Sequence, residues 1–212
     1  MTIYQAVLGF ALVAGLLTVI PGLDTAQVLR SSLSRSRGHA FATASGVQTG
    51  TMVWGVAAAA GATALLGASE LAYRVVSLAG AAYLIWMGVS LLVRSFRRSG
   101  DADADALEAT QGGALRAWAT GTVVNLLNPK VGVFYIATIP QFVPHGVSPL
   151  AMGALLAAVH CALGMTWFSG IIFGASAVAP RLRSARFVRW LDRVTGGVLI
   201  LFGAKLAVSA RV

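Results

Sequence analysis

Six runs of roughly 20 mainly apolar residues, each long enough to cross about 30 Å of hydrocarbon as a helix, follow one another along the chain between clusters of charge. They run from Ile3 to Leu29, Ala40 to Leu66, Leu71 to Val93, Leu115 to Val143, Leu150 to Val178 and Leu191 to Ser209. Stretches such as Val53 to Leu66 are continuously apolar, whereas a membrane barrel strand alternates apolar with polar over about ten residues. The sequence therefore predicts an all-α, polytopic membrane protein with six transmembrane helices. A soluble protein of 212 residues would need more polar cover than 57% hydrophobic and 11% charged residues can supply. The first run has no basic flank before it and is longer than a signal-peptide core, so it is expected to be a retained helix.

The positive charge follows topology. Arg30, Arg35 and Arg37 fall in the first connection, Arg94, Arg97, Arg98 and Arg116 in the third, and Arg181, Arg183, Arg186, Arg189 and Arg193 around the fifth, which is twelve of the 16 Lys and Arg. The other side offers Arg74, Lys205 and Arg211. The positive-inside rule then puts connections one, three and five in the cytoplasm and both termini outside. Net charge of +9 is thereby assigned to topology and contact with anionic membrane lipids, and no nucleic-acid partner is expected.

Cysteine and histidine usage narrows the chemistry. A single cysteine, Cys161, rules out an intramolecular disulfide and a thiolate-rich metal site. His39, His145 and His160 lack metal-ligand spacing, and no phosphate-binding glycine fingerprint occurs, so no cofactor is expected. The segment 99–114 carries Asp101, Asp103, Asp105 and Glu108 without the glycine and terminal glutamate spacing of a calcium loop, and reads as an acidic linker. It divides the chain into a three-helix half at 1–98 and another at 115–212. Gly88, Leu91 and Val93 at the end of the third run are echoed by Gly203, Leu206 and Val208 at the end of the sixth. Each half also opens on a long helix interrupted by proline, at Pro21-Gly22 and at Asn128-Pro129. An odd number of spans per half inverts the second against the first, the inverted-repeat plan of many secondary transporters.

An ionised side chain deep in hydrocarbon costs several kcal/mol by most scales, so Asp and Lys inside spans are candidates for function. Asp24 follows the Pro21-Gly22 break, whose freed carbonyls it can join in a polar pocket. Lys130 lies 14 residues after Arg116, about 21 Å along a helix, too deep to reach the surface. Its expected neighbours are Asn125, Asn128, the freed carbonyls and Asp24. Two readings of the pair stand: a structural ion pair locking two broken helices, or a site where Lys130 or helix ends meet a cargo carboxylate while Asp24 meets an ammonium or exchanges a proton. Six residues separate Asp24 from Arg30, about 9 Å, so a place at the cytoplasmic rim also stays open for Asp24. Gln48, Thr49 and Thr51 in the second run and His160, Thr166 and Ser169 in the fifth are further candidates for a polar pathway, of which Gln48 is the first choice. Gly46 with Gly50 and Gly170 with Gly174 are small-residue stripes for close helix packing.

The chain resembles the lysine exporter superfamily, in its branch of homoserine, threonine and homoserine-lactone exporters. The resemblance covers nearly the whole length. It rests on Pro21-Gly22-Leu23-Asp24-Thr25, Val28-Leu29-Arg30, Arg35, Arg37 and Gly38, then Gly46, Gly50, Gly80, Tyr83, Leu84 and Gly88, and on Gly121, Asn125, Asn128-Pro129-Lys130 and Pro140-Gln141-Phe142. It implies a small bacterial inner-membrane exporter of amino acids, drawing on the proton gradient and acting as a homodimer, with Asp24 and Asn128-Pro129-Lys130 on motif positions. Leu23 stands where the family has a second proline, which restores a backbone donor and makes the break milder. The superfamily's thiol-disulfide carrier needs paired cysteines and is excluded by Cys161 alone.

The function expected is thus efflux of amino acids or close derivatives by alternating access, with the two halves rocking about a central site. Efflux of an inorganic cation and a non-transporting scaffold are the alternatives. An enzyme is not expected, because no nucleophile and base stand at matched positions.

Overall fold

In a computed structural model, residues 1–68, 70–97, 112–177 and 184–209 are described, and every element among them is helical. The acidic linker lies almost wholly outside the described residues. Helix α1 spans Ile3–Val19 and begins at a reciprocal cap, in which the Gln5 N–H donates to Thr2 Oγ1 and the Thr2 N–H to Gln5 Oε1. Helix α2 spans Leu23–Ser34, α3 Arg37–Ala68 and α4 Glu70–Arg97. After the linker come α5 (Ala114–Leu126), α6 (Pro129–Thr138) with a 3₁₀ turn at Ile139–Phe142, α7 (Pro149–Phe173) and α8 (Ala185–Ser209).

The first and fourth runs are interrupted at the expected prolines, α1 meeting α2 at 55° and α5 meeting α6 at 59°. Other expected boundaries need correction. Helix α2 continues past Leu29 to Ser34 because Ser32 and Ser34 turn their hydroxyls back onto the carbonyls of Val28 and Arg30, which suits polar residues to a helix end. Helix α8 starts at Ala185 rather than Leu191, so its first turns carry arginine. Among the described residues, α7 alone is long and apolar enough to cross a bilayer by itself, and each bent pair qualifies if taken as one span; 78–93 is a shorter apolar stretch within α4.

Packing directions follow from which residues face each other. On α3, Gly46 lies against Trp118 and Thr122 of α5 while Gly50 lies against Asn125, so the two helices run parallel. A side chain at Gly46 would strike the Trp118 carbonyl and one at Gly121 the Thr43 carbonyl, so these backbones touch. On α4, Gly88 faces Gly196 of α8 and Ala81 faces Gly203, an antiparallel order. The closest approach is mutual: a Cβ at Gly88 would lie 2.6 Å from the Gly196 carbonyl oxygen, and one at Gly196 2.7 Å from that of Gly88. Gln48, Gly55 and Ala59 of α3 meet Gly164, Ala157 and Gly153 of α7, again antiparallel. Gly203 thus meets α4 at a backbone contact as Gly88 meets α8.

Two apolar clusters hold the bundle. One gathers Phe10 of α1, Phe134 and Tyr135 of α6, Phe142 and Leu156, with Phe10 and Phe142 edge to face at 5.6 Å. The other joins Val28 of α2, Ala44 and Val47 of α3, and Phe168 and Ile171 of α7. A polar cavity opens between them.

Candidate functional site

Both helix breaks are proline effects that can be worked out residue by residue. In an α-helix the N–H of residue i bonds the carbonyl of i−4, so a proline orphans the carbonyl four residues before it. Pro21 thereby frees the Leu17 carbonyl and Pro129 that of Asn125. Asn128 then caps α6, its Oδ1 accepting from the Lys130 N–H at 3.1 Å, with Pro129 at the first helical position. Helix α2 starts at Gly22 with no side-chain cap, which leaves its first N–H groups facing the break.

Asp24, in the first turn of α2, is held across the break. Its Oδ2 accepts from Asn125 Nδ2 at 3.1 Å and from Asn128 Nδ2 at 3.2 Å. Asp24 Oδ1 and Asn125 Oδ1 are buried without a partner, and Asn125 as a whole is 1% exposed. Two acceptors, one of them anionic, are thus left wanting donors. Lys130 Nζ donates to the carbonyls of Leu17 at 3.0 Å and Ile20 at 3.4 Å. Asp24 and Lys130 are therefore not joined as a direct ion pair: amides donate to one and backbone carbonyls accept from the other, with the cavity between. Both hydrogen bonds of Asp24 run to the second break, and neither runs to Arg30.

The cavity measures about 40 Å³ and is lined by Leu17, Thr18, Ile20, Gly22, Asp24 and Thr25 from the first broken helix. Asn125, Asn128, Lys130 and Val131 come from the second, Val47, Gln48 and Thr51 from α3, and His160, Gly164 and Phe168 from α7. Room of this size holds roughly three waters at ~10–15 Å³ each. Of the residues singled out from sequence, Asp24, Gln48, Asn125, Asn128, Lys130 and Gly22 all line it, while Pro21 and Pro129 shape it from behind. Two glycines make room for its side chains: a Cβ at Gly164 would sit 2.6 Å from Gln48 Nε2, and one at Gly50 2.6 Å from Asn125 Oδ1.

The weaker candidates divide. Thr51 and His160 reach the cavity. Thr49 instead donates to Ser45 and accepts from the Trp118 indole, and Thr166 is exposed and bonds its own helix. His160, 7% exposed, is fixed on both nitrogens, with Nε2 3.0 Å from Thr18 Oγ1 and Nδ1 2.9 Å from Tyr135 Oη. Thr18 gives its hydroxyl proton to Ala14, so the ring donates through Nε2 and accepts the Tyr135 hydroxyl proton at Nδ1. Sequence reasoning passed over Thr18, Thr25 and Tyr135, whose hydroxyls carry no signal in an apolar run. It also passed over Asp192, 3% exposed on α8 and close enough for its charge to act on Lys130. The signal for Asp192 was an acidic residue just inside a span.

The profile of LysE type translocators matches residues 3–210. The chain belongs to that family. Its relatives in the LysE family include the homoserine/homoserine lactone efflux protein of Salmonella typhimurium (strain LT2), 31% identical over 202 residues that make up 95% of each chain. The threonine efflux protein of Escherichia coli (strain K12) is 27% identical over 192 residues, covering 89% of this chain and 91% of that one. An uncharacterized membrane protein of Bacillus subtilis (strain 168) is 26% identical over 210 residues, 97% of this chain and all of the other. No solved structure matches. Family membership makes this a membrane protein of an amino-acid efflux family, a family of transporters rather than of enzymes.

Proposed function

We propose that the chain exports small amino acids or close derivatives from the cytoplasm, and that the cavity between the two breaks is where the cargo binds. One observation carries the reading: a half-buried carboxylate and a half-buried ammonium line one cavity without pairing to each other. A zwitterion fits that division of charge. Its ammonium meets Asp24 Oδ1 and Asn125 Oδ1, the two unpartnered acceptors. Its carboxylate meets the third Lys130 N–H and the uncapped N-terminus of α2, with the Gln48 amide beside them. Relatives named for homoserine and threonine efflux point to small hydroxylated amino acids as cargo.

Six spans arranged as two inverted repeats, with both termini outside the bacterial inner membrane, suit the packing. Alternating spans require the second and fourth to run parallel and the second and fifth, and third and sixth, to run antiparallel. Those are the directions of α3 with α5, α3 with α7 and α4 with α8. Alternating access then moves bodies drawn by packing rather than by the sequence halves. Helix α3 of the first half lies chiefly on α5 and α7 of the second, and α4 on α8. The cavity holds a head group but not a whole amino acid, so it widens as cargo enters. Asp24 Oδ1 takes up a proton when the ammonium leaves, which couples export to the proton gradient. A homodimer in the bilayer is the assembly proposed.

Proteoliposomes loaded with labelled homoserine, threonine or other amino acids test the proposal. Efflux faster than from empty vesicles supports it. Efflux of a divalent metal ion alone would replace it with the cation-export alternative.

A further inference from the structure

The two proline breaks are repaired in different ways. At the second, the chain mends itself: the Asn128 N–H turns back onto the orphaned Asn125 carbonyl at 3.0 Å. At the first, among the described residues, no backbone bond of this kind reaches the Leu17 carbonyl, and Ile20 closes α1 without a capping N–H. The free carbonyls of Leu17 and Ile20 form the negative end of α1, inside the bundle and beside the cavity. In transporters with discontinuous helices, such carbonyl ends hold a metal cation such as Na⁺. Here Lys130 Nζ occupies the place, delivered from the opposite half of the chain.

We propose that Lys130 is a tethered cation, standing where a coupling metal ion would otherwise sit, so that export requires neither Na⁺ nor K⁺. Three features of the geometry support this. The first acceptor that Nζ meets is the carbonyl that Pro21 orphans, at the shorter of the two distances. Lys130 makes no direct ion pair with Asp24, which takes its hydrogen bonds from Asn125 and Asn128, so the ammonium's bonded partners are the helix end itself. An ammonium has three N–H groups, of which two go to α1 and one remains for the cavity. A charge attached to the chain cannot be released on either side of the membrane, so no ion is carried with the cargo at this position. Lysine thereby keeps α1 docked against α6 through the whole cycle, whatever the salt.

Two measurements test this, and only the first rests on the export reading above. In proteoliposomes containing the unaltered protein, efflux is expected to be the same within about twofold in NaCl, KCl and choline chloride, since a dedicated ion site would make the rate follow occupancy. A requirement for Na⁺ or K⁺ overturns the proposal. If no amino acid leaves in any salt, the export reading fails, and the second measurement decides the role of Lys130 by itself. Purified Lys130→Ala is melted with added methylammonium, a free stand-in for the lost group. At about ten times its Kd the ligand should raise Tm by roughly 3–5 °C. Tetramethylammonium, with the same charge and no N–H, should leave Tm unchanged, as should methylammonium on the unaltered protein. A variant indifferent to methylammonium, or equally stabilised by both ions, overturns the assignment. Should Lys130→Ala not fold, the salt series on the unaltered protein still decides.

Discussion

Replacing Asp24 by asparagine separates what this residue does for the fold from what it does for cargo. The carboxylate accepts two hydrogen bonds through Oδ2, at 3.1 and 3.2 Å, and leaves Oδ1 unpartnered. An asparagine oxygen in the same place still accepts from Asn125 and Asn128. The bonds lose their charge assistance, a loss of about 1 kcal/mol, which is offset by no longer burying an anion. Stability should therefore change by no more than about 1 kcal/mol, or roughly 2–4 °C in Tm. Cargo fares differently. The atom that met the ammonium becomes an NH₂ group pointing one donor at another, and a charge-assisted hydrogen bond of about 1.5–3 kcal/mol is lost. Efflux measured as kcat/KM should fall roughly ten- to 150-fold at equal protein abundance. Asp24→Ala supplies the contrast. It strands two buried amides at about 1–3 kcal/mol each and should lower stability and export together. Normal efflux by Asp24→Asn would refute the assignment of the ammonium to this carboxylate.

Four further outcomes are expected. Gly50→Ala and Gly164→Ala push the side chains of Asn125 and Gln48 from their places, so export should drop about tenfold while membrane abundance stays near normal, compared by immunoblot with Gly61→Ala, where nothing lies within 4 Å. Gly88→Ala forces α4 from α8 at a backbone contact and should cost about 1–3 kcal/mol, read as a lower melting temperature. Tyr135→Phe removes the donor to His160 Nδ1 and should destabilise by about 1–3 kcal/mol through a buried unpaired nitrogen; unchanged melting would show that the ring is satisfied by other means. In a Cys161→Ala background, Ser36→Cys should react with an impermeant maleimide only from the cytoplasmic side and His145→Cys only from outside, both positions being exposed. The reverse pattern would invert the topology.

Helix type and the polar residues of the cavity were legible in the sequence because their signals are local. A proline, an aspartate or a lysine within an apolar run is anomalous wherever the chain goes, and Asp24, Gln48, Asn125, Asn128 and Lys130 do line one cavity. Their partners were not legible. Asparagines satisfy Asp24 and backbone carbonyls satisfy Lys130, and a carbonyl has no letter in the sequence, although counting four residues back from Pro21 points to Leu17. Tyr135, Thr18 and His160 meet across α6, α1 and α7, a junction that only the packing creates. The serines after Leu29 resembled a loop because their preference for helix ends is conditional: bonded back to the carbonyls of Val28 and Arg30, they extend α2.

The glycines of α3 fit surfaces that are synthesised later: Gly46 and Gly50 await α5, and Gly55 awaits α7. A nascent chain halted after α4 would leave the translocon with those grooves filled only by lipid. Folding of the early helices is thus bound to wait for the ribosome to finish, and two fragments made separately from a break between residues 99 and 111 should find each other in the bilayer where neither persists alone.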